Sequence, residues 1–343
     1  MKRTIVISFF ISLMLSVTAQ STIAYSLPKT ELIVELELEK TTQKSGLFYP
    51  YSERYLATKN IITENRTSYK LLKISVKTNP VPDLNRTYVL TPSKKSLLSY
   101  VTVNSDGLLC GINVASTDVE KPEIFSLIPK QDKAETNSLL PLGEEYMMAG
   151  STAKLAEGAA KQIYRIRESR MSILTGDLEH LPADGTSLQT MTEKLDQLES
   201  ELTELFIGET RVVVEKHQVR FTPETAVTNS VLFRISALKG IVPVDDLTGN
   251  PYYLTIEPEK NTVSNFNSRS KKADSELNTV LPATTKITIG NGTSELYTNK
   301  FVMPQFGNVV SYSDDLLSEI ASKVWVDPQT GRLLNIEKIV PKK

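Results

Sequence analysis

Glu31-Leu32-Ile33-Val34-Glu35-Leu36-Glu37-Leu38-Glu39 is the stretch on which the fold turns. Its even positions are all apolar, and its odd positions are glutamates except for Ile33. A period of two means a strand with one face buried and one face in water, the signature of an antiparallel sheet. Similar runs lie outward from it. Ser68–Thr78, Arg86–Thr91 and Leu97–Val103 read as strands, and Pro80 and Pro82 are expected to break the chain between the first two. The turn Asn104-Ser105-Asp106-Gly107 then leads into Leu108–Val114. Nearer the C-terminus, Arg211–Phe221, Val231–Leu238 and Pro251–Ile256 are strand-like. Thr285–Ile289 and Ser294–Tyr297 form a predicted hairpin around Asn291-Gly292. The polar run from Glu257 to Asn278 reads as a loop. Val324–Val326 and Arg332–Ile336 flank the turn Asp327-Pro328-Gln329-Thr330-Gly331. Gly331, Leu333 and Ile336 repeat the spacing of Gly107, Leu109 and Ile112, an echo that either two related β units or two ordinary hairpins would produce.

Between these β-rich halves the period changes. From Ala149 to Thr175, small or apolar side chains recur at Thr152, Ala156, Ala159, Ile163, Ile166 and Ile173. From Thr186 to Phe206, Leu188, Met191, Leu195, Leu198, Leu202 and Leu205 alternate steps of three and four. Thr186 and Gln189 have capping-box spacing, and Gly176 and Gly208 stand where the helices should stop. The loop between them is short enough only for an antiparallel return. The first helix is net basic and the second net acidic, which favours the pairing, although exposed ion pairs contribute only about 0–1 kcal/mol each. Arg170 falls in the apolar seam, so it is predicted to send its guanidinium to Glu193, Asp184 or loop carbonyls, near Met191, and so fix the register; the alternative is contact with a strand of the flanking β unit, tying the two parts together.

These readings define an α+β protein: mostly antiparallel β units flanking an inserted antiparallel helical hairpin. The expected segments are a signal peptide over 1–19, an N-terminal β unit over 20–142, the hairpin over 143–208 and a C-terminal β unit over 209–343. The signal reading rests on basic Lys2 and Arg3, the apolar run Ile5–Val17, and small residues Val17 and Ala19 before a cut at Gln20. No cysteine stands near that cut, so the mature chain is expected to carry no lipid. Nothing later in the sequence is apolar enough to span a membrane.

The 343 residues are enough for about two domains. Net charge is −1 and turns more negative once Lys2 and Arg3 are removed, so nothing points to nucleic acid. The lone Cys110 cannot form an internal disulfide; in its apolar run it reads as a buried, inert thiol. Neither His180 nor His217 has metal-ligand spacing, and no nucleophile elbow, phosphate loop or dinucleotide fingerprint is present. Asp245-Asp246 reads as a turn and not a calcium loop. No catalytic, cofactor-binding or metal-binding residue is assigned. The cluster that stands out is Gly46-Leu47-Phe48-Tyr49-Pro50-Tyr51-Ser52-Glu53-Arg54-Tyr55. Tyr49, Tyr51, Arg54 and Tyr55 have the composition of a partner-binding surface; the competing reading is that these aromatics plug the end of the core.

The run Ala159-Ala160-Lys161-Gln162-Ile163-Tyr164-Arg165-Ile166-Arg167-Glu168-Ser169-Arg170 continues to Leu174-Thr175-Gly176 and Leu181-Pro182-Ala183-Asp184-Gly185. With Glu204-Leu205-Phe206-x-Gly208, Phe48–Leu56, Leu232–Ser236 and Asp327-Pro328-x-Thr330-Gly331, it resembles an exported family of Bacteroides-type bacteria called domain of unknown function 4831. The resemblance implies a cell-envelope setting, periplasm or cell surface, in a Gram-negative bacterium. It carries over neither an activity nor catalytic residues. The expected role is therefore a non-catalytic binding or structural module contacting an envelope protein or surface polymer. The alternative is a glycan- or peptide-directed hydrolase whose carboxylates the sequence does not locate.

Overall fold

A computed structural model describes residues 23–90, 100–121, 148, 150–177, 185–259, 276–312 and 322–338. The signal segment, its cleavage site, His180 and Asp184 lie outside the described residues, as do 122–147 and 260–275 of the polar loop.

The decisive stretch lies inside β1 (Ile23–Lys44), the central strand of the first sheet. β2 (Arg66–Leu90) pairs with one side of it and β5 (Glu209–Phe221) with the other, both antiparallel. At about 3.3 Å per residue, the 22 residues of β1 span roughly 70 Å. The second sheet has the order β10-β9-β8-β6-β7, with β6 Val227–Ser236, β7 Gly240–Val242, β8 Asn250–Pro258, β9 Leu277–Gly290 and β10 Glu295–Tyr312. The third has the order β12-β11-β4-β3, with β3 Val101–Val103, β4 Leu109–Ile112, β11 Ser322–Val326 and β12 Leu333–Lys338. Every named strand pair is antiparallel. β5 joins β1, and β11 joins β4, so the two β-rich halves of the chain share sheets.

Leu32, Val34, Leu36 and Leu38 are fully buried against Phe233, Ile256, Ile287, Ile289 and Met303 of the second sheet. Burial of this apolar face is the main force holding the two sheets together. A register irregularity at Ser26–Pro28 shifts the buried set, so Tyr25 and Leu27 instead enter a second core with Leu109, Ile112, Val324 and Val326. Ile33 is buried although it lies on the outer face. Its neighbours Lys77 and Arg220 pair with Glu35 and Glu31, and their long stems cover it. Cys110 is buried as a free thiol.

The break expected at Pro80 and Pro82 does not occur. β2 runs unbroken through Pro80 and Pro82 as an edge strand, the position where a sheet tolerates proline. Opposite Pro80, Thr30 takes both backbone partners from one side chain: its N–H donates to Gln305 Oε1 at 3.0 Å, and its carbonyl accepts from Gln305 Nε2 at 2.9 Å. The echoing hairpins β3–β4 and β11–β12 lie side by side in the third sheet. The carbonyls of their turn glycines accept from different strands, Gly107 from Ser26 N and Gly331 from Val280 N. β7, a three-residue strand, has no counterpart in the sequence reading.

The helices are a short α1 (Ser52–Leu56), α2 (Thr152–Thr175) and α3 (Gly185–Ile207). α2 and α3 pack into the expected hairpin through Ala156, Ala159, Ile163, Ile166, Leu202 and Phe206. α3 begins at Gly185, so Thr186 lies inside the helix. Gln189 donates forward to Glu193 at 2.8 Å, and no capping box forms between the two.

Candidate functional site

The last turn of α3 shows what the aromatic segment does. Four carbonyls at a helix C-terminus lack intrahelical partners and need substitutes. Glu204 O accepts from Gly208 N at 2.9 Å, Leu205 O from Phe48 N at 2.6 Å, and Ile207 O from Ile62 N at 2.8 Å. The fully buried Ser52 hydroxyl lies 2.8 Å from Phe206 O and 2.9 Å from Tyr49 O, sharing one proton between them. Residues 48–62 thus form the cap of a helix some 150 residues away in sequence. Gly208 makes this closeness possible. It has φ +90°, and a Cβ there would stand 2.5 Å from Lys44 O, so both conformation and space require glycine.

Phe48 is fully buried, with its ring 5.4 Å from that of Phe206. Tyr51 and Tyr55 are half-buried against the same helical core, their rings 6.4 Å apart. Tyr55 O accepts from the Tyr164 hydroxyl at 2.7 Å, and the exposed Arg54 guanidinium lies over the Tyr55 ring at 5.4 Å. Of the four residues predicted for partner binding, Tyr49 and Arg54 are therefore the exposed ones, while Tyr51 and Tyr55 also serve the core.

Arg170 makes a charge-assisted bond, but to other partners than expected. Its Nη1 donates to Glu199 Oε2 at 2.6 Å, and its Nε lies 3.1 Å from Asp196 Oδ1. Arg167 Nε donates to the second Glu199 oxygen at 2.7 Å. One carboxylate thus joins two guanidiniums of the facing helix. The register differs from the expected one because the first turns of α3 run past the end of α2, placing Arg170 opposite Asp196–Glu199 instead of Met191. Burial raises the Glu199 pKa, and the two guanidiniums more than reverse it, leaving the carboxyl below its ordinary value. Arg167 was missed in the sequence because it falls outside the apolar seam. Gly176 ends α2 at φ +78°, with its N–H bonded to Ser172 O.

Buried positions in the hairpin stop at Ile166 in α2 and begin at Leu202 in α3. Beyond them the helices continue as a two-helix arm, with Met171 61% and Leu174 78% exposed. A concavity lies on the outer face of the second sheet. This open groove of about 470 Å³ is lined by Tyr253, Thr255, Glu257, Lys286, Thr288 and Glu295, among others. Among the described residues, no three His, Cys, Asp or Glu side chains converge as a metal set, and no helix is long and apolar enough to cross a membrane.

These features define an α+β protein whose described residues form three antiparallel sheets and a capped helical arm. The chain belongs to the family described as Domain of unknown function (DUF4831), whose sequence profile matches residues 21–334. No curated protein and no solved structure matches it.

Proposed function

We propose that this chain is an exported, non-catalytic binding or structural module of a Gram-negative cell envelope, and that its helical arm contacts another protein or a surface polymer. The observation that carries this reading is the division of the hairpin. Its proximal half is fixed by the aromatic cap, and its distal half projects with Met171 and Leu174 exposed. A capped base and exposed apolar side chains on the distal half suit an element that meets a partner without rearranging. The Lys2-Arg3 start, the apolar run to Val17 and the small residues Val17 and Ala19 support export, with a mature N-terminus at Gln20 and no lipid. Mass spectrometry of the envelope form tests export: a retained signal segment or an acyl chain contradicts it. Partner capture tests the arm. Met171→Glu with Leu174→Glu is expected to abolish capture while leaving the melting temperature unchanged; undiminished capture contradicts the reading. The hydrolase alternative has one observation in its favour, Glu257 and Glu295 lining the same open groove. Glycan or peptide turnover that is lost in Glu257→Gln would establish it.

A further inference from the structure

The two outer strands of the first sheet are protected very differently. Natural edge strands are blunted by prolines, bulges, charges or covering loops, because a bare edge templates another strand. β2 has such devices: Pro80 and Pro82, register irregularities at Ser26–Pro28 and Glu37–Leu38, and Tyr69 N bonded to Ala237 O. β5 lacks proline and bulge, and its charges, Glu209, Arg211, Glu215, Lys216 and Arg220, are of both signs. It pairs with β1 from Leu32–Phe221 to Lys44–Glu209 without a bulge, and among the described residues no strand pairs with its other side. Val212, Val213 and Val214 lie on it in sequence, 56%, 43% and 50% exposed. Val213 shares a face with Lys40, while Val212 and Val214 share the opposite face with Thr41 and Glu39.

We propose that the outer edge of β5 pairs antiparallel with β5 of a second copy of this chain, about a two-fold axis through Val213. The charge pattern selects this occupant and this register. Opposed residues in an antiparallel pair share a face, so a two-fold axis normal to the sheet must pass through a residue pair of the same number. Centred on Val213, the pairing sets Arg211 opposite the partner's Glu215 twice, Glu209 opposite His217, and Val212 opposite Val214. Centring on Val212 sets Glu209 opposite Glu215, like against like. Centring on Val214 sets Arg211 opposite His217, with no acid of the second copy facing either. Of these three valine-centred registers, only the one on Val213 sets opposite charges against each other. The product is a continuous sheet of six strands with the valines at its centre. Nine paired residues per copy make a small interface, so association belongs to the micromolar range.

Sedimentation equilibrium of the purified protein tests this directly. The expected result is a concentration-dependent dimer that Val213→Lys weakens at least about tenfold, because the axis places two ammonium groups side by side. Val213→Cys gives a second readout that needs no loss of folding. Opposed Cβ atoms lie about 4.5–5.5 Å apart, so mild oxidation should link Val213→Cys dimers faster than Val212→Cys dimers, whose cysteines sit on a diagonal. The buried Cys110 does not compete. A monomer at every concentration up to about 1 mM overturns the proposal. So does a dimer indifferent to both substitutions. Protection of the outward β5 amides from hydrogen exchange in dilute monomer would show the edge covered by the chain's own segments, and overturns it equally.

Discussion

Gln305 and Glu199 each hold together two parts of the chain that no local pattern connects. Gln305 stands in for a strand partner at the buried Thr30, just past the point where the β1–β5 ladder ends at Leu32–Phe221, and its Nε2 also reaches Pro223 O at 3.3 Å. Gln305→Ala leaves a buried N–H and carbonyl unpaired, and is expected to cost about 1–3 kcal/mol in denaturant unfolding. A change below about 0.5 kcal/mol, the range of an ordinary surface substitution, would contradict that role. Glu199 serves Arg167 and Arg170, and its folded pKa lies below the ordinary carboxylate value. A depressed folded pKa means that its contribution is present above the unfolded pKa, near 4.3, and is lost as pH falls through the folded value. Glu199→Gln should therefore destabilise the protein by about 1–3 kcal/mol at pH 7. The difference from the parent should shrink once pH drops below about 4. Melting curves of both proteins across that range check it, and a difference that persists unchanged into acid contradicts the ion-pair account.

At the scale of elements, what could be read in the sequence was whatever is local. The alternation at residues 31–39 specifies a half-buried strand, and the steps of three and four at Leu188–Leu205 specify an amphipathic helix. Both signals come from neighbours in sequence, and both elements are present. β2 was not legible as one strand, because its two prolines are tolerated only at the edge of a sheet, and that edge position is set by pairing with β1, which lies far away in sequence. The aromatic segment was legible as a feature but not as a cap, since the carbonyls it satisfies belong to a helix made much later in the chain. The Arg170 partners depended on how far α3 overshoots α2, which loop length alone does not fix. The cap makes its own prediction. Phe48→Ala removes a fully buried ring and should cost about 3–5 kcal/mol. Tyr49→Ala, at a site 36% exposed, should change stability by about 0.5 kcal/mol or less. Thermal unfolding of the two variants distinguishes a cap from a surface patch, and equal losses contradict the division drawn between these neighbours.

The whole molecule is organised by β1. One end of this strand enters the core shared with the third sheet, its middle faces the second sheet, and beyond its far end the segment from Phe48 caps the helical arm. The halves of the chain interleave across it, so truncation after β4 would strip partners from both β1 and β4. The arm is the part of the described structure that owes least to this shared core, which is why contact with a partner is assigned to it. Site-specific photo-crosslinking in intact cells tests that assignment most directly. A crosslinker placed at Leu174, on the arm, is expected to yield a discrete adduct with a heterologous envelope component, and one placed at Thr288, in the outer groove, is expected to yield none. Adducts at Thr288 with none at Leu174 would contradict the account and move the functional surface to the groove.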